Sequence, residues 1–280
     1  MNTQTFKLFI FLFFSMLLMI SCQTKSKQTV ENNILFDSIQ VNQIYHLLDN
    51  PNNPNCNLQL SFTFPADFYD NEILKKLQKN FVLSYFGEKY KDLSPNKAIV
   101  QYTEDYLQAY KELELDFKKE QNKKEESNWY SYYEMTSNEI MFNQNEIISY
   151  TIYFENYTGG AHGSHTCTNH VINLQTGNLI TEEDIFVENY QEDLAQILVN
   201  TIAEQREVEN VKDLENIGYF SIEEIYPNGN FLINKNGITY TFNEYEIAAY
   251  VVGMTQVFLP FNEISFLLKQ DSPIASLFTN

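Results

Sequence analysis

The chain has 280 residues, enough for one large or two modest domains with a real core, and sets 18 lysines and arginines against 37 acidic residues. The formal charge of −19 excludes nucleic acid as a partner, because a phosphate backbone demands the opposite sign. The same balance draws in basic proteins or peptides without specifying one.

Residues 1–22 read MNTQTFKLFIFLFFSMLLMISC. Lys7 precedes an apolar run over 8–20 that only Ser15 interrupts. A helix of that length rises about 20 Å, short of a bilayer crossing. A basic start, a short apolar stretch and a small residue at its end mark a secretory signal. The ending Met19-Ile20-Ser21-Cys22 resembles the lipobox of bacterial lipoproteins. That resemblance implies a signal peptide over 1–21 and lipid, palmitate included, on Cys22. Residues 22–40 are then a polar tether that starts QTKSKQTV. In similar lipoproteins an acidic stretch after the cysteine often accompanies surface display; the residues after Cys22 are not acidic, so the resemblance implies an outer-membrane anchor facing the periplasm over display on the cell surface. Lys7 is the only charged residue in 1–21, so the mature chain keeps 17 basic against 37 acidic residues. Cys56 and Cys167 remain. An oxidising envelope permits a disulfide between them that would pin the two halves of the chain; burial as free thiols is the other reading.

In chain order, DNPNNPN (49–55) is a loop, and NLQLSFTF (57–64) alternates as a half-buried strand stopped by Pro65. Leu74, Leu77, Phe81 and Tyr85 form a helix face that ends near Gly87. A second helix starts after Ser94-Pro95 and carries Ile99, Tyr102, Tyr106, Tyr110, Leu113 and Phe117 into the charged run 118–128, a solvated helix end and loop. Strands are expected over 129–135, 139–143 and 146–157, and 165–174 is the antiparallel return of the last. Thr181 with Asp184 makes a capping box. Tyr190, Leu194, Ile197, Leu198 and Ile202 form a helical stripe. Residues 231–233 and 238–242 flank the Asn236-Gly237 turn of a hairpin. Asn243 is expected to cap a helix over 244–252. A strand at 257–259 and a helix at 261–268 close the chain. This order points to an α+β fold, antiparallel sheets with packed helices in two closely associated subdomains, over 41–145 and 146–280.

Residues 157–170, YTGGAHGSHTCTNH, hold three of the four histidines. Zinc needs three or four converging ligands. On a strand His165 and Cys167 share one face and His170 takes the other, so no metal or other cofactor is expected. Ser164 lies outside the glycine pair of a nucleophile elbow, and neither His162 nor His165 brings a nucleophile with an orienting carboxylate. No catalytic residue is assigned. Gly159, Gly160 and Gly163 instead allow a tight reversal between strands, fastened by His162 or facing a ligand, with Tyr157, Tyr240 and Tyr245 as candidate contact residues.

The blocks TGGAHG (158–163), NLQTGNLI (173–180) and DIF (184–186), followed by GITYTFNEYEI (237–247), AAY (248–250), Gly253 and VFLPF (257–261), resemble the DUF3298 family over about 150–270. The preceding part, about 45–145, is similar to the DUF4163 or PdaC-like domain that often comes before it. Members of the family include the outer part of an anti-sigma factor that senses lysozyme and a non-catalytic region of a peptidoglycan deacetylase. The resemblance implies a sensing or binding module and supplies no catalytic residue. The expectation is a lipid-anchored envelope module that binds cell-wall material or a cationic protein such as lysozyme. A structural or assembly lipoprotein is the alternative, and a cell-wall hydrolase or metal-dependent esterase a more distant one.

Overall fold

Leu58, Leu60, Phe62 and Phe64 are all buried while the residues between them are not, and the strand they define, β2, spans Asn55–Phe68. The computed structural model describes residues 30–120 and 127–279. Within them, β2 belongs to a six-stranded sheet in the order β1-β2-β3-β4-β5-β6. The other strands are β1 (Ile34–His46), β3 (Tyr132–Gln144), β4 (Ile147–Tyr157), β5 (Ser164–Asn173) and β6 (Asn178–Leu179). All neighbours run antiparallel except β2 and β3. A parallel pair requires a long crossover, and the chain uses it to build α1 (Asn71–Phe86), α2 (Pro95–Lys111) and α3 (Glu114–Glu120).

Local chemistry sets the helix ends. The Asp70 carboxylate accepts from the backbone N–H groups of Glu72 and Ile73, and Gly87 at φ 92° ends α1. Pro95 opens α2, where a missing N–H costs nothing. Leu77, Phe81, Val82, Tyr85 and Phe86 of α1 and Ala98 and Ile99 of α2 press on β2, β4 and β5 through Leu58, Phe62, Ile148, Tyr150 and Ile172. Tyr150 stacks between Phe81 (4.1 Å) and His170 (5.0 Å). The ladder between β2 and β3 ends at Ser61–Ser137. Beside that end, side chains supply the missing bonds. The Ser61 N–H donates to the Tyr85 hydroxyl, which donates to the Thr136 carbonyl at 2.6 Å. Further along, the Asn138 amide accepts from Thr63 N–H and donates to Thr63 C=O, each at 2.8 Å.

A three-stranded sheet, β7 (Phe231–Ile233), β8 (Gly237–Phe242) and β9 (Thr255–Pro260), lies against the other face of β4 and β5. Behind it packs α5 (Gln191–Gln205), with Leu194, Leu198 and Ile202 facing a core that includes Ile238, Tyr240, Phe242, Val257 and Leu259. The core also takes Ile147 and Val171 from the first sheet, so β4 and β5 are buried on both faces there. Short helices α4 (Glu182–Ile185), α6 (Phe261–Ile264) and α7 (Ala275–Phe278) complete the layer. The Thr181–Asp184 capping box forms. The architecture is α+β, with two sheets and two subdomains.

The subdomains join at the edge of β5. Beyond its short pairing with β6, β5 leaves backbone groups unpaired, and asparagines from the second subdomain fill them. Cys167 N–H donates to Asn243 Oδ1 (2.7 Å) and Asn169 N–H to Asn230 Oδ1 (2.7 Å), while both Asn230 and Asn243 donate to Cys167 C=O. Side-chain amides thus finish a sheet edge as a further strand would.

Several expectations need correction. The strand β1 starts at Ile34, inside the stretch 22–40 read as tether, and was missed because it shows little apolar contrast. A boundary at 145/146 falls between β3 and β4, two paired strands of one sheet. The strands expected at 129–135 and 139–143 are one, β3, because its polar middle, Thr136 to Asn138, is tied down by the bonds just described. No helix spans 244–252: Tyr245 sits at φ 66°, only 250–252 forms a short 3-10 turn, and the Asn243 amide is committed to Cys167.

Candidate functional site

Three strands are enough for the second sheet to cover only the β4–β6 end of the larger one. Over β1–β3 and the outer parts of β4 and β5, the face opposite α1 and α2 stays open. It forms a groove of about 620 Å³, walled at one end by Met254. The alternation of strand side chains decides its lining. Register then arranges the lining residues in two rows that cross the strands. One runs Gln40, Ser61, Ser137, Tyr153; the other runs Asn42, Gln59, Met135, Glu155, His165. Gln40, Asn42, Met135 and Tyr153 are exposed. No lysine or arginine lines it.

Charge gathers at the walled end. The His165 ring lies 3.5 Å from Glu155 on β4 and 3.7 Å from Glu244 in the second subdomain. Tyr133 donates to Glu155 at 2.8 Å, and that bond holds the phenol above its usual pKa. Beside this cluster, the rings of His162 and Tyr250 stack at 4.7 Å and those of Tyr245 and Tyr250 at 5.6 Å. Both carboxylates, the imidazole and the tyrosine rings therefore meet where the subdomains meet.

The turn from Tyr157 to Gly163 is built largely from its own bonds. The Tyr157 hydroxyl donates to Gly160 C=O (2.9 Å) and His162 Nδ1 to Gly163 C=O (2.8 Å). Gly159 sits at φ 88°, and a Cβ there would lie 2.8 Å from the Trp129 carbonyl oxygen; at Gly163 it would meet that of Asn156 at the same distance. Gly160 also has positive φ. His162 and Tyr245 are exposed and Tyr157 half-buried, but Tyr240, expected as a contact residue, is wholly buried in the second core, because its strand position points inward.

The remaining residues of 157–170 separate by face. His165 and Cys167 point to one side of β5, and His170 to the other, against Tyr150. Burial holds His170 near pKa 4 and leaves its Nε2 without a partner. Cys56 and Cys167 are free and buried, so the bridge considered from sequence is not formed. They stand on β2 and β5, three strand spacings of about 4.8 Å apart, beyond the reach of a disulfide. Burial pushes the Cys167 thiol up to about 11, which keeps it protonated. Among the described residues, no group of three or more His, Cys, Asp or Glu is placed to hold a metal ion, and no helix is long and apolar enough to cross a membrane. Cys22 and the signal over 1–21 lie outside the described residues.

Sequence reading named His165 but missed the groove's other residues. Their signal is present, as polar residues alternating with apolar ones along β2, but only strand order brings them into rows.

Residues 52–165 match the family model described as Deacetylase PdaC, and residues 183–262 match the one described as Protein of unknown function (DUF3298). A crystal structure of a DUF3298 family member from Bacteroides fragilis aligns with a TM-score of 0.85 at 31% identity, over 90% of this chain and 100% of that one. A DUF3298 family protein from Pseudomonas aeruginosa aligns with a TM-score of 0.61 at 11% identity, over 89% and 99%, a likeness of fold alone. No curated protein matches the sequence.

Proposed function

The chain belongs to the DUF3298 family, and from that premise we propose that it is an envelope binding module, held at the membrane by lipid on Cys22, that captures a positively charged ligand in the open groove. The ligand is cell-wall material or a basic envelope protein, and the chain binds it without turning it over. One observation carries this reading: a groove that reaches the subdomain junction, with Glu155 in its lining, Glu244 behind His165 at that end, and no lysine or arginine in the lining. A chain of formal charge −19 would steer such a ligand inward.

The test is a titration of the full chain, purified in mild detergent, with lysozyme and with solubilised cell-wall fragments, at low and raised salt. Saturable binding that weakens as salt screens the charges is expected, with loss of affinity in Tyr153→Ala. If neither ligand saturates at low salt, the binding-module reading falls, and the structural or assembly role takes its place.

A further inference from the structure

The groove's chemistry narrows its ligand. We propose that it takes a linear glycan bearing free amino groups, an assignment that rests on the binding-module reading above.

Three features lead there. First, the surface is the face of a sheet. β2, β3 and β4 lie inside the sheet, so a ligand resting on this face meets side chains and not a strand edge. Second, the end away from the wall is uncharged. Gln40, Asn42, Gln59, Ser61 and Ser137 present amides and hydroxyls, which donate and accept at once and so suit a chain of hydroxyl groups. Among the described residues, the side chains of Gln40, Asn42 and Ser137 have no protein hydrogen-bond partner that would have to be given up. The exposed Tyr153 ring gives a flat apolar surface on which the C–H face of a sugar ring can rest, and the exposed Met135 thioether adds an adaptable apolar contact. Third, each row steps from strand to strand, and the four steps from Asn42 to His165 cover roughly 19 Å. An extended ligand several rings long fills that span.

The walled end supplies the charge preference. Glu155 and Glu244 lie 3.5 and 3.7 Å from the His165 ring, and the lining holds no lysine or arginine. An ammonium substituent on the glycan can lie against these carboxylates while its hydroxyls run along the amide rows. An acetylated nitrogen at the same place offers an amide with no charge to set against these carboxylates.

The full chain in mild detergent is titrated by calorimetry with a glucosamine hexamer, with the N-acetylated hexamer, and with a lysine hexamer that controls for charge alone. The glucosamine hexamer is expected to bind saturably, at least tenfold more tightly than either comparison. Glu155→Gln with Glu244→Gln should abolish the preference for the free amine, and Tyr153→Ala should weaken every glycan. Circular dichroism and a thermal melt check that these surface variants are folded, and the wild-type comparison stands without them. Equal affinity for the lysine and glucosamine hexamers, or for the two glycans, overturns the assignment. If the lysine hexamer or lysozyme binds through Glu155 and Tyr153 while neither glycan does, the glycan assignment fails and the binding module remains. If nothing binds, both fail.

Discussion

Tyr150 and Tyr153 stand three residues apart on β4 and belong to different worlds. Tyr150 is fully buried, stacked between Phe81 and His170, with its hydroxyl 2.9 Å from Ser84. Tyr153 lies on the opposite face, 41% exposed, in the groove. His165 and His170 on β5 likewise take opposite faces, although both are only half-buried. One face of the sheet is closed along most of its length by α1 and α2; the other is closed only as far as the second sheet reaches. A sheet whose two faces are covered by partners of unequal size leaves an open remainder, and here that remainder carries the polar side chains. The covered parts of both faces hold the core, and the open remainder is the surface proposed above for binding.

The sharpest way to break this comparison is to truncate one tyrosine from each face. Tyr150→Ala empties a closely packed site and should cost about 3–5 kcal/mol, read as a lower midpoint in urea with an unchanged slope. A loss below about 1 kcal/mol would mean that the helix-covered face is not the stabilising one.

The next effect follows from His170. Its folded pKa is held near 4, whereas the unfolded imidazole takes up a proton near 6.5. Between those values the unfolded chain binds more protons, so stability falls as pH drops from about 6.5 towards 4, by up to about 3 kcal/mol. Glu134 works the other way. Burial raises its carboxyl, the folded chain keeps the proton longer, and its contribution is lost as pH rises above the ordinary glutamate value. Denaturation of wild type and His170→Phe from pH 7 to 4.5 separates the two: the difference between the proteins should grow steadily towards acid. A constant difference would mean that burial does not hold the folded imidazole below its ordinary range.

Asn243→Ala probes where the two subdomains are stitched. It removes two bonds to Cys167, leaves a backbone N–H without its acceptor, and should cost about 1–3 kcal/mol, with faster amide exchange at Cys167. Unchanged exchange there would show that the junction is held by apolar packing alone.

The smallest expected change in stability comes from the open face. Tyr153→Ala should shift stability by no more than about 0.5 kcal/mol in the same urea titration, while it reduces ligand affinity. A large destabilisation would make the groove a part of the core and remove the reason to treat it as a site.

Much of the fold was legible along the chain. The alternation from Leu58 to Phe64, the stripe from Leu74 to Tyr85, the Thr181–Asp184 box and the Asn236-Gly237 hairpin each depend on neighbours within a few residues, and each formed. The failures share a cause. The strand β1 and the middle of β3 have little local pattern and are held by partners far away: β2 in one case, Tyr85 and Asn138 with Thr63 in the other. Asn243 looked like a helix cap because that is its commonest local use, yet its amide is spent on Cys167, 76 residues away. Tyr240 looked available because it flanks a turn, and the inner side of β8 buries it. In the candidate site, the splitting of His165 from His170 could be read from strand periodicity, but the meeting of His165 with Glu155 and Glu244 could not.

The sequence by itself determined the α+β class, the opposed faces of each strand, the glycine-bearing turn and the acidic balance, because these are set by backbone geometry, side-chain period and formal charge. Tertiary structure alone decided that β2 and β3 lie side by side, that asparagines close the edge of β5, and that the second sheet stops short. The groove exists only through those decisions. Its residues come from five strands, and long-range pairing brings them together by the hydrogen-bond register between strands, which no local stretch of the chain encodes.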